Sequence, residues 1–340
     1  MTGYLHRRHL LTSGAALTLL SACGRKPQPK AAIELLNVSY DPTREFYEAY
    51  NALFAKLWLE RAGQVVTVRQ SHGGSGKQAR AVADGLEADV VTLALADDID
   101  VLARRGLVSA NWAARLPDHA APYTSIIVFL VRKGNPKGIR DWGDLVRPGV
   151  EIVTPNPKTG GGARWNYLAA YSWALKANGG NESAAEAYIR DLYAHVPVLD
   201  AGARGSTTTF IQRGIGDVLL TWENEAFLAL RELAASGDYE IVTPPTSIRA
   251  EPPVAWVDAV TDRRGTTAVA KAYLEHLYSP EAQTLIGEYG YRPSDPAVAV
   301  RFAGRFAAVS LSRIDDLGGW SVVQPKHFDA GGVFDRITRK

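Results

Sequence analysis

The 340-residue sequence contains one cysteine, Cys23, and no methionine beyond its first residue. A single cysteine excludes an intramolecular disulfide and a cysteine-based metal site. The seven histidines form no HExxH or comparable metal pattern. An excess of one charge is missing too. Beyond residue 22 the chain carries 36 basic and 36 acidic residues, so the net +2 comes from Arg7 and Arg8. Nucleic acid as a partner would demand a basic face, and a chain that is neutral beyond its first 22 residues argues against one. No gross positive field exists to gather anions either. The segment GGSGK lacks the spacing of a P-loop. It also fails as a nucleophile elbow, because Lys77 stands where the second glycine belongs. No cofactor is therefore expected. What remains is a globular composition, 46% hydrophobic and 22% charged.

The first 22 residues read as an export signal: a basic start, a short apolar stretch, and small residues before Cys23. Arg7-Arg8 followed by His9-Leu10-Leu11 resembles a twin-arginine signal. The apolar stretch is too short to span a bilayer. Leu20-Ser21-Ala22-Cys23 resembles a bacterial lipobox, in which Cys23 becomes the lipidated first residue. Residues 23–32 would then tether the protein to a membrane, with GRKPQPK as a polar, proline-containing linker.

From residue 33 onward, strands alternate with helices. Apolar segments at 33–38, 65–69 and 89–95 read as strands. Helical patterns fall between them, the first beginning at Asp41-Pro42 with Asp41 as its N-cap. Residues 123–132 form one long apolar run. A second α/β set follows: strands at 151–154, 196–199 and 217–222, with helices from about 162, 182 and 206. Segments 239–243 and 253–260 read as strands returning to the first unit, and the tail reads as mostly helical. This is an α/β chain of two lobes joined by two crossovers: 33–124 plus 246–340, and 125–245. A ligand cleft is expected between them.

Three glycine-rich turns each open into a helix: HGGSGK (72–77), KTGGGAR (158–164) and DAGARGS (200–206). The first N–H groups of a helix lack internal partners, and the helix dipole adds partial positive charge there. Glycine lets an anion approach that backbone closely. A single such turn is commonly only a tight connection. Three, all beyond the carboxyl ends of strands, point to one small oxyanion held from both lobes. Ser75 is then a ligand-turn residue, and His72 a packing or capping residue. Trp222 ends the 217–222 strand, and its indole is a donor with no acceptor, which suits a fully ionised anion. A buried core role is the competing reading.

Several longer segments, among them LLNVSYDPTREFY, QSHGGSGKQA, NPKTGGGARWNYLAA and GARGSTTTFIQRGIGDVLLTWENEA, resemble those of the periplasmic sulfate-binding proteins that feed ABC importers. The likeness runs from Ile33 to the end. It implies a periplasmic-binding fold with two crossover strands (type II) and a sulfate dianion held by neutral donors. Those donors would be the N–H groups of Ser75, Gly161, Gly162 and Ala203 and the indole of Trp222. It also implies a membrane permease with its ATPase as partner, no catalysis, and a monomer. Gly160 departs from the pattern, since serine is common there. The expectation is that it keeps a backbone donor and loses a hydroxyl, for which Thr159 could substitute. Asp41, Arg164 and Arg204 are pocket neighbours, the arginines expected to support the loops by ion pairs. Thiosulfate, another tetrahedral oxyanion, a sulfate- or phosphate-ester hydrolase, and a signalling receptor remain alternatives.

Overall fold

The computed structural model describes residues 31–232 and 237–338. The export signal, Cys23 and most of the tether lie outside these residues. Two sheets organise the chain. The first takes β1 (Ile33–Tyr40), β2 (Val66–Gly73) and β3 (Val90–Thr92) in parallel, with β1 central. After β4 (Tyr123–Thr124) the chain crosses to the second sheet. That sheet holds β5 (Ile127–Arg132), β6 (Ile152–Pro155), β7 (Leu199–Asp200), β8 (Val218–Trp222) and β9 (Tyr239–Val242) in the order β7-β6-β8-β5-β9. β10 (Thr246–Ile248) leads back, and β11 (Val254–Trp256) closes the first sheet antiparallel to β3. β12 (Arg292–Pro293) pairs with β4, and β13 (Ser310–Ser312) pairs with β10.

Burial explains the strand reading. β3, β5, β6 and β8 are continuous apolar runs because both faces are covered. The Arg44–Ala62 helix buries Phe46, Tyr47, Tyr50 and Phe54 at helical spacing against the first sheet. The core of the second lobe is built around Trp142, Trp165, Tyr167 and Phe129.

Four expectations change. The 123–132 run splits at Ser125-Ile126, where Ser125 bridges to Ala250 and the two crossing segments meet. The 196–199 strand shrinks to Leu199–Asp200. β9 does not return to the first lobe but pairs antiparallel with β5. The tail also divides. Residues 254–291 belong to the first core, whereas Trp320, Val323, Phe328 and Phe334 pack into the second. Lys158 Nζ donates to the carbonyl of Phe328 at 2.8 Å and pairs with Asp335 at 2.7 Å. Ser312 accepts from Ser172 at 2.6 Å. Ile248 and Ala250 also lie in the second core, so the residues of 246–340 divide between the two cores, with 254–291 in the first and both ends in the second. Amphipathic pattern gives a helix its buried face but not the neighbour that covers it.

Arg292 on β12 forms a two-pronged pair with Glu223, at 2.7 and 2.9 Å, between the first lobe and the end of β8. Glu223 is 2% exposed, and burial raises its carboxyl above the usual range against the pull of Arg292. Removing one member strands the other charge. Arg292→Ala is expected to destabilise the protein by about 3–5 kcal/mol in urea unfolding, and adding Glu223→Gln should recover part of that loss.

Candidate functional site

The three glycine turns converge. Beyond β2, Gly74 precedes the Ser75–Ala83 helix. Beyond β6, Gly160 precedes the Gly161–Ala177 helix. Beyond β7, Gly202 precedes the Ala203–Ile211 helix. No side chain caps any of these helices, so their first N–H groups stay available. Ser75, Gly160, Gly161, Gly162 and Ala203 line one small cavity with Tyr40, Asp41, Pro42, Gly73, Gly74, Pro155, Ala163 and Gly202. Its volume is ≈ 20 Å³ for the centre of a water-sized sphere. No lysine or arginine stands on its wall. A larger cleft of ≈ 480 Å³, lined by Arg80, Asp97, Asp98, Arg104 and Arg164, lies behind the Ser75 helix. It is polar, mixed in charge and away from the convergent N–H groups.

Close approach across the lobes builds the cavity. A Cβ on Gly161 would come within 2.8 Å of the Ser75 Cβ and 3.1 Å of the Ala94 Cβ. A Cβ on Gly74 would come within 2.6 Å of the Thr159 carbonyl oxygen. Only glycine lets these backbones meet. The Trp165 indole donates to the Ala94 carbonyl at 2.9 Å, fastening one lobe to the other beside the cavity.

Ser75 is 1% exposed, and its hydroxyl donates to Asp98 at 2.5 Å while accepting from the Ala94 N–H at 2.9 Å. Asp98 is not on the cavity wall. Burial raises the Asp98 carboxyl, opposed by Arg164, the Ser75 hydroxyl and Arg80. The hydroxyl thus anchors the turn, leaving the Ser75 N–H as the group the turn offers. Gly160 corrects an expectation: its N–H donates to the Asn156 carbonyl at 3.0 Å, so it has no backbone donor to give. Thr159 is no substitute, because its one hydroxyl proton goes to the Ala201 carbonyl at 2.8 Å, with the Asn156 carbonyl 3.2 Å away as the alternative acceptor.

Trp222 is 2% exposed and packs on Tyr40 with ring centres 5.5 Å apart. Its indole donates to the Gly162 carbonyl at 3.1 Å. It stands directly behind the Gly161–Ala177 helix start and ties that turn to β8. Asp41 does not cap the long helix. It opens a short 3₁₀ turn, Asp41–Thr43, whose flanking residues make no side-chain cap, and the α-helix begins at Arg44. The Asp41 carboxylate lies 3.8 Å from Arg44 and 3.5 Å from where a Gly202 Cβ would be. Burial raises its pKa against Arg44, Arg204 and Lys77. Arg204 pairs with Glu45 of the Arg44–Ala62 helix at 2.6 Å and with Glu225 at 3.6 Å. Arg164 supports its loop differently, donating to the Pro157 carbonyl at 3.1 Å and to Gln324 at 3.0 Å. His72 is partly buried and bonded to Gln70. Burial and Arg44 lower its pKa to about 4, so it is neutral at pH 7. Tyr40, Pro42 and Pro155 on the wall were not singled out in the sequence. Their signal was position alone, at the carboxyl ends of β1 and β6.

Two sheets whose strand ends face each other across a small cavity, with helix N-termini from both sides, define a two-lobed solute-binding protein. The chain belongs to the bacterial extracellular solute-binding proteins, whose family model matches residues 41–292. It is 57% identical to a sulfate-binding protein of Escherichia coli (strain K12) over 309 residues, 91% of this chain and 94% of that one. It is 51% identical to a thiosulfate-binding protein of Pseudomonas aeruginosa, over 90% of this chain and 92% of that one. Among solved structures, the sulfate-binding protein SubI from Mycobacterium tuberculosis H37Rv superposes with a TM-score of 0.79 at 37% identity, covering 87% of this chain and 100% of that one.

The Ser75 geometry has a measurable consequence. Ser75→Ala leaves the buried Asp98 carboxylate without its donor and is expected to cost about 2–3 kcal/mol of stability by chemical denaturation. Because the residue 75 N–H survives, oxyanion affinity measured by calorimetry should fall by no more than about threefold, roughly half of one 1.4 kcal/mol decade.

Proposed function

We propose that the protein is an extracytoplasmic receptor that captures sulfate and hands it to an ABC permease driven by a cytoplasmic ATPase. One observation carries this reading: a small cavity walled by three helix N-termini from both lobes, with no cationic side chain on the wall. Neutral donors suit a small dianion that must be both held and released. Oriented N–H groups stabilise the charge without the net attraction of a lysine or arginine cage. The donors are the N–H groups of Ser75, Gly161, Gly162 and Ala203. Trp222 acts at this site by fixing the Gly162 turn, and its indole is the further donor once that turn adjusts around a ligand.

Sulfate is favoured over phosphate because it carries no proton near neutral pH. Phosphate would bring a proton that needs an acceptor, and a carboxylate facing sulfate would repel it. Asp41 is the one acidic residue on the wall, and its neighbours Arg44 and Arg204 offset its charge. Binding and closing are one event, since the donors come from opposite lobes, so the closed form is the form the anion selects.

The protein works by binding and not by turnover. The Ser75 hydroxyl is directed at Asp98, away from the cavity. The receptor acts as a monomer, exported by its first 22 residues and held to a membrane by lipid on Cys23. Among the described residues no helix is long and apolar enough to cross a membrane.

Titration calorimetry with sulfate, thiosulfate, phosphate and molybdate tests the central claim. Sulfate should bind at about micromolar Kd or tighter, near −8 kcal/mol, and Gly161→Ala should weaken it by about tenfold or more by keeping the lobes apart. No sulfate binding beside tight binding of a different anion would sink the assignment. For the anchor, Cys23→Ala should move the protein from the membrane fraction to the soluble one. Continued membrane retention would disprove lipidation at that residue.

A further inference from the structure

The tail makes a sharp turn before it settles on the second lobe. Gly318 and Gly319 stand at φ of 92° and 77°, conformations that favour glycine. They deliver Trp320 at the start of a short helix, Trp320–Val323. Beyond it the chain is fastened to the second lobe. Val323, Phe328 and Phe334 lie in that core, and Gln324 accepts from Arg164 at 3.0 Å. The Trp320 indole, 8% exposed, meets Trp165 edge to face with ring centres 5.1 Å apart.

The same short helix lies against the first lobe. Its neighbour there is the Ala96–Arg104 helix, whose Ile99 and Leu102 belong to the first core. Trp165 crosses as well, since its indole donates to the Ala94 carbonyl at 2.9 Å. Trp320 borders space on two sides. With Asp97 and Val101 it lines the cleft of ≈ 480 Å³, and with Ala96 and Ala121 a second cavity of ≈ 220 Å³. Because space flanks the indole, this stretch of the joint rests on its ring. Trp320 has no place on the wall of the anion cavity.

We infer that Trp320 is a positioning residue for lobe closure. The tail carries it on the second lobe as a wedge that seats against the Ala96–Arg104 helix of the first. Through the Trp165 ring it also steadies the bond to Ala94. Trp320 thereby sets how long a bound anion stays. This rests on the oxyanion-receptor reading and deepens it. An anion held by N–H groups from both lobes leaves only when the lobes part, so a contact that joins them acts on release. Encounter takes place before the lobes meet, and the association rate is left unchanged. The contact reaches the anion through the lobes alone, since the indole has no part in the cavity wall.

Stopped-flow binding of sodium sulfate to the purified protein tests this in wild type, Trp320→Phe, Trp320→Leu and Trp320→Ala, read by the fluorescence of the remaining tryptophans. Trp320→Ala should release sulfate about tenfold faster, with an association rate within about twofold of wild type. Its Kd by calorimetry should rise in step. Trp320→Leu keeps apolar bulk without a ring and should release sulfate about threefold faster or more. Trp320→Phe restores a ring against Trp165 and should stay within about twofold of wild type. A ring that served only the core would lower the melting temperature and leave the release rate alone. A folded Trp320→Ala that releases sulfate within about twofold of the wild-type rate therefore overturns the inference, as does a weakening carried by the association rate. Thermal melts identify a variant that fails to fold, and Trp320→Leu then decides by the same criteria. No sulfate binding by wild type is a separate outcome, which defeats the receptor reading itself.

Discussion

Backbone N–H groups are short, fixed donors. They can meet on one small anion only if the chains that carry them approach to contact distance. Everything around the cavity follows from that geometric demand. It places helix starts at the carboxyl ends of β2, β6 and β7, where their open N–H groups face the gap between sheets. It requires glycine where the lobes touch, at Gly74 and Gly161. It also keeps longer side chains out. Lys158 turns away to hold the tail, Arg204 pairs with Glu45 and Glu225, and Arg164 reaches Pro157 and Gln324. The basic residues beside the glycine turns act as struts for the loops, and the wall is left to the backbone.

A second layer holds the donors in place. Ser75 is fixed through Asp98 and Ala94, and Gly162 through Trp222. Preorganisation of this kind lowers the ordering cost of any binding at these turns. Coupling between lobes runs through the same parts. The Trp165 bond to Ala94 and the Arg204 pair with Glu45 exist only when the lobes are together.

The sheet-and-helix alternation and the three turns were legible because each is a local signal: an apolar run, then glycine, then an amphipathic helix. The convergence of the turns followed from topology, since all lie on the same side of their sheets. Details that depend on distant partners were not legible. Nothing local to Gly160 reveals that its N–H is bound within its own loop. Asp41-Pro42 carries the usual sequence mark of a helix start, yet the helix begins later because a 3₁₀ turn intervenes. Segment 239–243 reads equally well as a strand of either sheet, and only pairing with β5 decides. The lobe taken by the tail was hidden for the same reason, because Trp320, Phe328 and Phe334 would suit any apolar surface.

That tail bears on the order in which the molecule can assemble. The second sheet is complete once β9 is made, but the helix face bearing Trp165, Tyr167 and Tyr171 is still bare at that point. It is covered by Trp320, Phe328 and Phe334, which follow only after the remaining helices of the first lobe. Neither lobe is a continuous stretch of chain, and the second finishes last although most of it is made earlier. Long-range contacts of this kind slow folding, because loop closure must precede the burial that rewards it.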